Sequence, residues 1–309
     1  MRRLTAVVLV LAFNLLAGFN DGGNLIATLL PARVRPVLLW LWLAAIVSLG
    51  PVLLGTHVAD TITRRIVLPR TLAQVLEPSV LAALLVVLVS WWQRIPTSMS
   101  LALIGAMAGA GAAAGLPVVW GGVLRALVGF ILTVALGGLL GLSTARLGTA
   151  VLRRLRRGVI VSLLLLLTAA LEGIAYGGND LEKAIGLLHF TGIGWQDAVL
   201  LSVLSFAVGS VIGSWRIART VGSQILRLRP PEALYTQMAT GISVLLASLT
   251  GIPVSTSQTV DAALLGVGSA DNPRHVGWSV VRRMTAAWVL TPVTAFVAGG
   301  ICQWLSRTF

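Results

Sequence analysis

"VIVSLLLLLTAALEGIAYGGNDLEKAIGLL", residues 159–188, is an apolar run that carries Asn179, Asp180, Glu182 and Lys183 within five positions. Lys183 is the only lysine in the chain. About 20 apolar residues suffice for a helix to cross the hydrocarbon of a bilayer. Ionisable side chains at that depth cost a few kcal/mol each, and they face a cavity, a partner or an ion path. The stretch therefore reads as a membrane helix built around a functional interruption.

The rest of the chain agrees with a lipid solvent. It has 309 residues, 57% of them hydrophobic and 11% charged, against about 25% charged in a soluble domain. Ten hydrophobic segments cover it, at approximately 4–31, 36–60, 72–93, 96–115, 118–142, 159–188, 195–215, 233–251, 253–270 and 276–305. The fourth and ninth open with proline and are rich in Gly, Ala and Ser, which suits re-entrant hairpins as well as spans. The expected fold is all-α and integral to the membrane, with about ten to twelve transmembrane or re-entrant helices. "MRRLTAVVLVLAF" runs on without a small-residue cleavage site and reads as a retained first helix.

Charge and cysteine usage exclude several classes. The net charge of +13 sits in short arginine loops between apolar segments. Topology explains it better than nucleic-acid binding, for which no basic module is left over. The single cysteine, Cys302, excludes an intramolecular disulfide and a thiolate metal cluster. His57, His189 and His275 are scattered and suggest no metal site. No P-loop for ATP and no H-E-x-x-H zinc pattern appears. Neither an enzyme nor a cofactor is expected.

The halves resemble each other. "GFNDGGNLIAT" at 18–28 pairs with "GGNDLEKAIGL" at 177–187, and "RIPTSMSLALIGAMAGAG" at 94–111 pairs with "GIPVSTSQTVDAALLGVG" at 251–268. Asp21 precedes Pro96 by 75 residues, and Asp180 precedes Pro253 by 73. Motifs repeated in order at matched spacing indicate duplication. An odd number of spans per half inserts the second half upside down, with the site at the repeat interface. Residues 1–142 form the first inverted repeat, 143–158 a basic cytoplasmic loop and 159–309 the second repeat. Loops after odd-numbered segments hold fifteen arginines and the opposite side seven, so both termini are expected outside.

The motifs carry complementary chemistry. Asp21 and Asp180 each follow an asparagine inside an apolar stretch, among Gly18, Gly22, Gly23, Gly177, Gly178 and Gly186. An unwound turn at these glycines would free carbonyls which, with Asn and Asp oxygens, suit a hard monovalent cation. Pro96 and Pro253 suit a first helical turn. Ser98, Ser100, Ser255, Thr256 and Ser257 then lie where free N–H groups and the dipole attract anions. Carboxylates repel a bare anion, and a cation between them removes that repulsion. Each ligand then helps the other bind, which is the requirement for a cation-coupled anion symporter. Glu172, Glu182 and Asp261 are further intramembrane carboxyls; Glu172 and Glu182 read equally well as local structure or function, and Glu182 and Asp261 are candidates to carry protons.

These residues resemble the inorganic phosphate transporter (PiT) family, bacterial branch, through "GFNDGGN", "YGGNDLEK", "IPTSMS" and "IPVSTS", and through "LLGTHVADTI", "WRIARTVG" and "VVRRMTAAWVLT". The resemblance covers nearly the whole chain. It implies Na+- or H+-coupled symport of inorganic phosphate across the inner or plasma membrane, with Na+ or H+, phosphate and membrane lipid as partners. The implied phosphate-binding residues are Asn20, Asp21, Ser98, Ser100, Asn179, Asp180, Lys183, Ser255, Thr256 and Ser257. Asp21, Asn24, Asp180 and Glu182 are the coupling-cation candidates. Met99, Leu101, Gln258, Gly178 and Tyr176 depart from the family pattern, as do Glu182 and Asp261, which stand where neutral residues are expected. A sulfate permease is the nearest rival; Asp21 and Asp180 favour phosphate, which can donate a hydrogen bond. A lipid-phosphate enzyme would need a nucleophile or metal constellation, and a channel would not need linked carboxylates in both halves. A monomer suffices for transport, and a homodimer is compatible with it.

Overall fold

A computed structural model describes residues 2–32, 36–93, 97–152, 158–220 and 228–308. Among them the fold is helical, with one isolated bridge between Val67 and Val118. The first half contains α1 (Arg2–Leu29), α2 (Pro36–Leu54), α3 (His57–Arg64), α4 (Pro69–Trp92), α5 (Met99–Ala113) and α6 (Trp120–Leu152). The second contains α7 (Gly158–Tyr176), a π-helical turn (Gly177–Leu181), α8 (Glu182–Phe190), α9 (Trp195–Gly213), α10 (Trp215–Thr220), α11 (Pro230–Leu249), α12 (Thr256–Asp271) and α13 (Trp278–Thr308). Each of the ten hydrophobic segments falls on helix.

Seven helical stretches of the described residues are long and apolar enough to cross a membrane. Their outward faces are apolar: Leu124, Ile131, Leu132 and Leu139 on α6 and Val289, Val293, Val297 and Ile301 on α13 are more than half exposed. In water such faces would aggregate, whereas lipid covers them at no cost. The chain is a multi-pass membrane protein.

The helices α5 and α12 are shorter, at 15 and 16 residues. At 1.5 Å per residue each extends only about 22–24 Å, less than the hydrocarbon core. Both begin inside the protein, at buried Ser98 and Ser255. The extended backbone before them is tolerated at membrane depth because protein covers it. The prolines do not open these helices. Ser255 is the N-cap of α12, so Pro253 lies two residues outside it; Pro96 is outside the described residues.

Glycine sets the closest helix contacts. On the α5–α13 interface, Gly105 and Gly109 meet the carbonyls of Pro292 and Phe296, and Gly299 meets Ala106. On the α6–α12 interface, Gly141 meets the Ala263 carbonyl and Gly266 that of Gly138. Small residues let backbones approach where no apolar driving force separates helix from lipid. The basic stretch expected as a loop is partly helical: 143–152 continue α6, and 153–157 lie outside the described residues.

Candidate functional site

The two Asn-Asp pairs lie on α1 and on the π-helical turn, and both face the starts of α5 and α12. The expected unwinding is absent. α1 runs unbroken through Gly18–Gly23, and the second copy widens by a single π turn. A π bulge inserts one residue into a helix without freeing a run of carbonyls, and such bulges gather at functional sites. The surrounding glycines are there for packing: Gly18 and Gly22 seat against α9, and Gly177 and Gly178 against Val47, Gly50 and Leu54 of α2.

Each asparagine ties its helix to the extended segment of its own half. The Asn20 amide donates to the Thr97 carbonyl at 2.9 Å. The Asn179 amide donates to the Ile252 carbonyl at 3.0 Å and to Ser248 Oγ at 3.2 Å, and its oxygen accepts from Val254 N at 2.9 Å. The aspartates instead reach across. Asp21 accepts from Ser257 of the second half, and Asp180 accepts from Ser100 of the first at 3.1 Å. Ser100 and Ser257 are the same position of the repeated motif, so the two halves exchange serines.

The start of α12 is already engaged by a carboxylate. Asp180 Oδ2 accepts from the Thr256 backbone N–H at 3.2 Å and from the Thr256 hydroxyl. Met99 occupies the equivalent position in α5 and has no hydroxyl. Tyr176 compensates on that side, its hydroxyl 3.4 Å from Asp21 Oδ2.

Lys183 completes the cluster. Its ammonium lies within hydrogen-bond distance of four oxygens, Asp180 Oδ1 at 2.8 Å, Val254 O at 2.7 Å, Asn179 Oδ1 at 3.0 Å and Ser100 Oγ at 2.5 Å, which its three N–H groups share. It neutralises Asp180 rather than Glu182. The pair is almost fully buried, with side chains 3% and 7% exposed. Asn24, the equivalent of Lys183 in the first repeat, is buried with both amide atoms unpartnered.

The structure thus brings together Asn20, Asp21, Ser100, Asn179, Asp180, Lys183, Thr256 and Ser257. Ser98 caps α5, accepting from Leu101 N at 3.1 Å. Ser255 is buried at the N-cap of α12 and makes no side-chain cap bond. The sequence reading missed Thr97 and Val254, whose backbone groups leave no compositional signal, and Ser248, whose hydroxyl meets Asn179 from 69 residues away. It also missed the contact of Tyr176 with Asp21; the one available clue is that Tyr176 stands one turn before Asp180.

Glu182 is turned away from the cluster. Its Oε2 accepts from Val58 N at 3.0 Å and Ala59 N at 3.1 Å, the free donors at the start of α3. A carboxylate there satisfies orphan N–H groups and the helix dipole. Glu182→Gln is expected to cost about 1–2 kcal/mol of stability while uptake per folded molecule stays within about twofold; thermal melts and uptake rates on the same preparation check this. Glu172 also stands apart, accepting from Thr28 Oγ1 at 3.1 Å.

Comparison with known proteins follows this geometry. The sequence profile of the "Phosphate transporter family" matches residues 17–158 and 152–299. A "Probable low-affinity inorganic phosphate transporter" of Rhizobium meliloti is 30% identical, over 96% of this chain and 94% of its own length. A protein of the same description from Bacillus subtilis is 30% identical over 97% and 95%. The solved structure described as "The sodium-dependent phosphate transporter" has the same fold, with a TM-score of 0.84 and 22% identity, covering 100% of this chain and 99% of that one.

Proposed function

The chain belongs to the phosphate transporter family, and on that premise we propose that it carries inorganic phosphate across the cytoplasmic membrane by symport with Na+ or H+. One observation carries the coupling. Asp21, Glu172, Asp180, Glu182 and Asp261 are carboxyls inside the protein, and among the described residues Lys183 is the only buried cationic side chain. Buried charges are paired or neutralised. Asp21 and Asp180 with Lys183 alone leave one negative charge in the cluster, so a cation or proton is needed before an anion can enter.

The engaged start of α12 suggests how the ligands help each other. Asp180 holds the Thr256 N–H and hydroxyl that an oxyanion would use. A cation that satisfies Asp180 loosens its hold on those donors, and phosphate takes them. Ser98, Ser100, Ser255, Thr256, Ser257, Asn20, Asn179 and Lys183 are the proposed phosphate contacts. Asp21, Asn24 and Asp180 are the proposed cation contacts.

Two inverted repeats, 1–142 and 159–309, account for the packing. Exchanging each element for its counterpart turns α5 against α13 into α12 against α6, and α3 against α8 into α10 against α1. The arginine distribution favours termini outside. A homodimer is compatible with this reading and is not required by it.

Labelled phosphate uptake into proteoliposomes, under a Na+ gradient and a pH gradient separately, tests the proposal. Uptake is expected under at least one gradient, with excess sulfate reducing it less than about twofold. Sulfate uptake without phosphate uptake would overturn it.

A further inference from the structure

The helix that brings Ser257 to Asp21 carries another carboxyl that the cluster does not use. Asp261 follows Ser257 by four residues and Gln258 by three, so all three share one face of α12. Asp261 is 1% exposed, and neither of its oxygens has a hydrogen-bond partner. Gln258 is equally buried, and neither atom of its amide is partnered. Leu265, Val281, Met284 and Trp288 enclose the gap beside Asp261, which is too small to admit a water molecule.

Among the described residues no cationic side chain is paired with Asp261. Asp21 on α1 is the titratable group that acts on Asp261, and its sign is the same. On α13, Arg282 and Arg283 are exposed and flank buried Met284. On α6, Arg125 and Arg146 are exposed, and the face against α12 is made by Gly137, Gly138 and Gly141. On α11, Glu232 accepts from the Arg229 backbone at the helix start, and Tyr235 packs with Ala145 and Val267. Arg274, in the turn after α12, is exposed.

An ionised carboxylate that accepts no hydrogen bond and meets no cation or water, with the Trp288 indole N–H and the Gln258 amide both unpartnered, is far costlier than the neutral acid. A hard metal cation would need several oxygen ligands, and the lining offers carbon, sulfur and an indole. A proton needs no coordination shell. Resting on the symport reading above, we propose that Asp261 is a proton-binding residue of the transport cycle, with Gln258 as its positioning residue. The amide oxygen of Gln258 can accept from the acid, and its NH2 can donate to the carboxylate, so one side chain serves both states. On release the gap must open to the receiving side and admit water; the Asp261 O–H bond breaks as a new O–H bond forms on that water, and no electron moves.

The test uses the purified full chain in proteoliposomes, with a lumenal pH dye and labelled phosphate. Wild type is expected to move protons with phosphate. In Asp261→Asn the accompanying proton movement is expected to vanish, and uptake driven by a pH gradient to fall about tenfold or more. An unchanged proton-to-phosphate ratio in Asp261→Asn would overturn the proposal. Wild-type phosphate uptake without proton movement would overturn it too, while leaving phosphate transport standing. Absence of phosphate uptake under any gradient would instead remove the transport reading on which it rests. Should Asp261→Asn aggregate, Asp261→Glu decides: a displaced pH profile of uptake is expected, and a profile identical to wild type overturns the proposal.

Discussion

Asp180→Asn is expected to reduce phosphate uptake at least about 100-fold and to lower stability by roughly 3 kcal/mol, because it strands a buried ammonium. Lys183 is 2% exposed and its three N–H groups are shared among four oxygens, of which that of Asp180 carries the charge. The same substitution weakens the bonds from Ser100 and Thr256, which join α5 and α12 to the π turn. Lys183→Met should destabilise by a similar amount, leaving Asp180 with hydroxyl and N–H donors alone. The double variant Asp180→Asn/Lys183→Met removes both charges together, so its loss of stability should be smaller than the sum of the single losses by about 1–3 kcal/mol. Uptake should not return, since the cation contact is gone. Thermal unfolding and uptake of the four proteins close the cycle, and strict additivity would count against the pairing.

The other large effect is a packing one. A Cβ at Gly177 would strike the Val47 carbonyl, with the Gly50 Cα 3.0 Å away. Both obstacles are backbone and cannot rotate aside. Gly177→Ala should therefore cost about 2–3 kcal/mol, at the upper end for an overpacked site. It should also impair uptake beyond the loss of folded protein, because the π turn that must shift carries Asn179 and Asp180. Gly121→Ala is the control. Nothing lies within 4 Å of its added carbon, and it sits in α6, so the substitution should be neutral or stabilising by up to about 1 kcal/mol. Equal melting behaviour of the two variants would refute the close approach of α2.

Much of this was legible because membrane sequence is sparse in polar side chains. Asn20, Asp21, Asn179, Asp180 and the serines stood out against an apolar background, and their recurrence in both halves paired them. The helical class followed from segment length. What could not be read was which partner each group chose. Glu182 sits two residues from Asp180, yet its partners are the N–H groups of α3, more than 120 residues away. Asp21 takes Ser257 rather than Ser100, although a serine stands at the same position of the motif in both halves. Glycine misled most: the residue that permits unwinding also permits contact, and here the neighbours Val47 and Phe206 supply backbone that only contact explains. Lys183 was ambiguous until its distance to Asp180 was known.

The exchanged serines have a consequence for leakage. If the transport proposed above moves one half against the other, a movement that starts in one half alone parts Asp21 from Ser257 and Asp180 from Ser100 together. Two hydrogen bonds to carboxylates in a dry interior are worth about 3–6 kcal/mol. That penalty makes a futile stroke, with no cargo to replace the lost bonds, roughly 10²- to 10⁴-fold rarer than a loaded one. In such a symporter the crossed bonds would work as an interlock that keeps the ion gradient from draining through the protein.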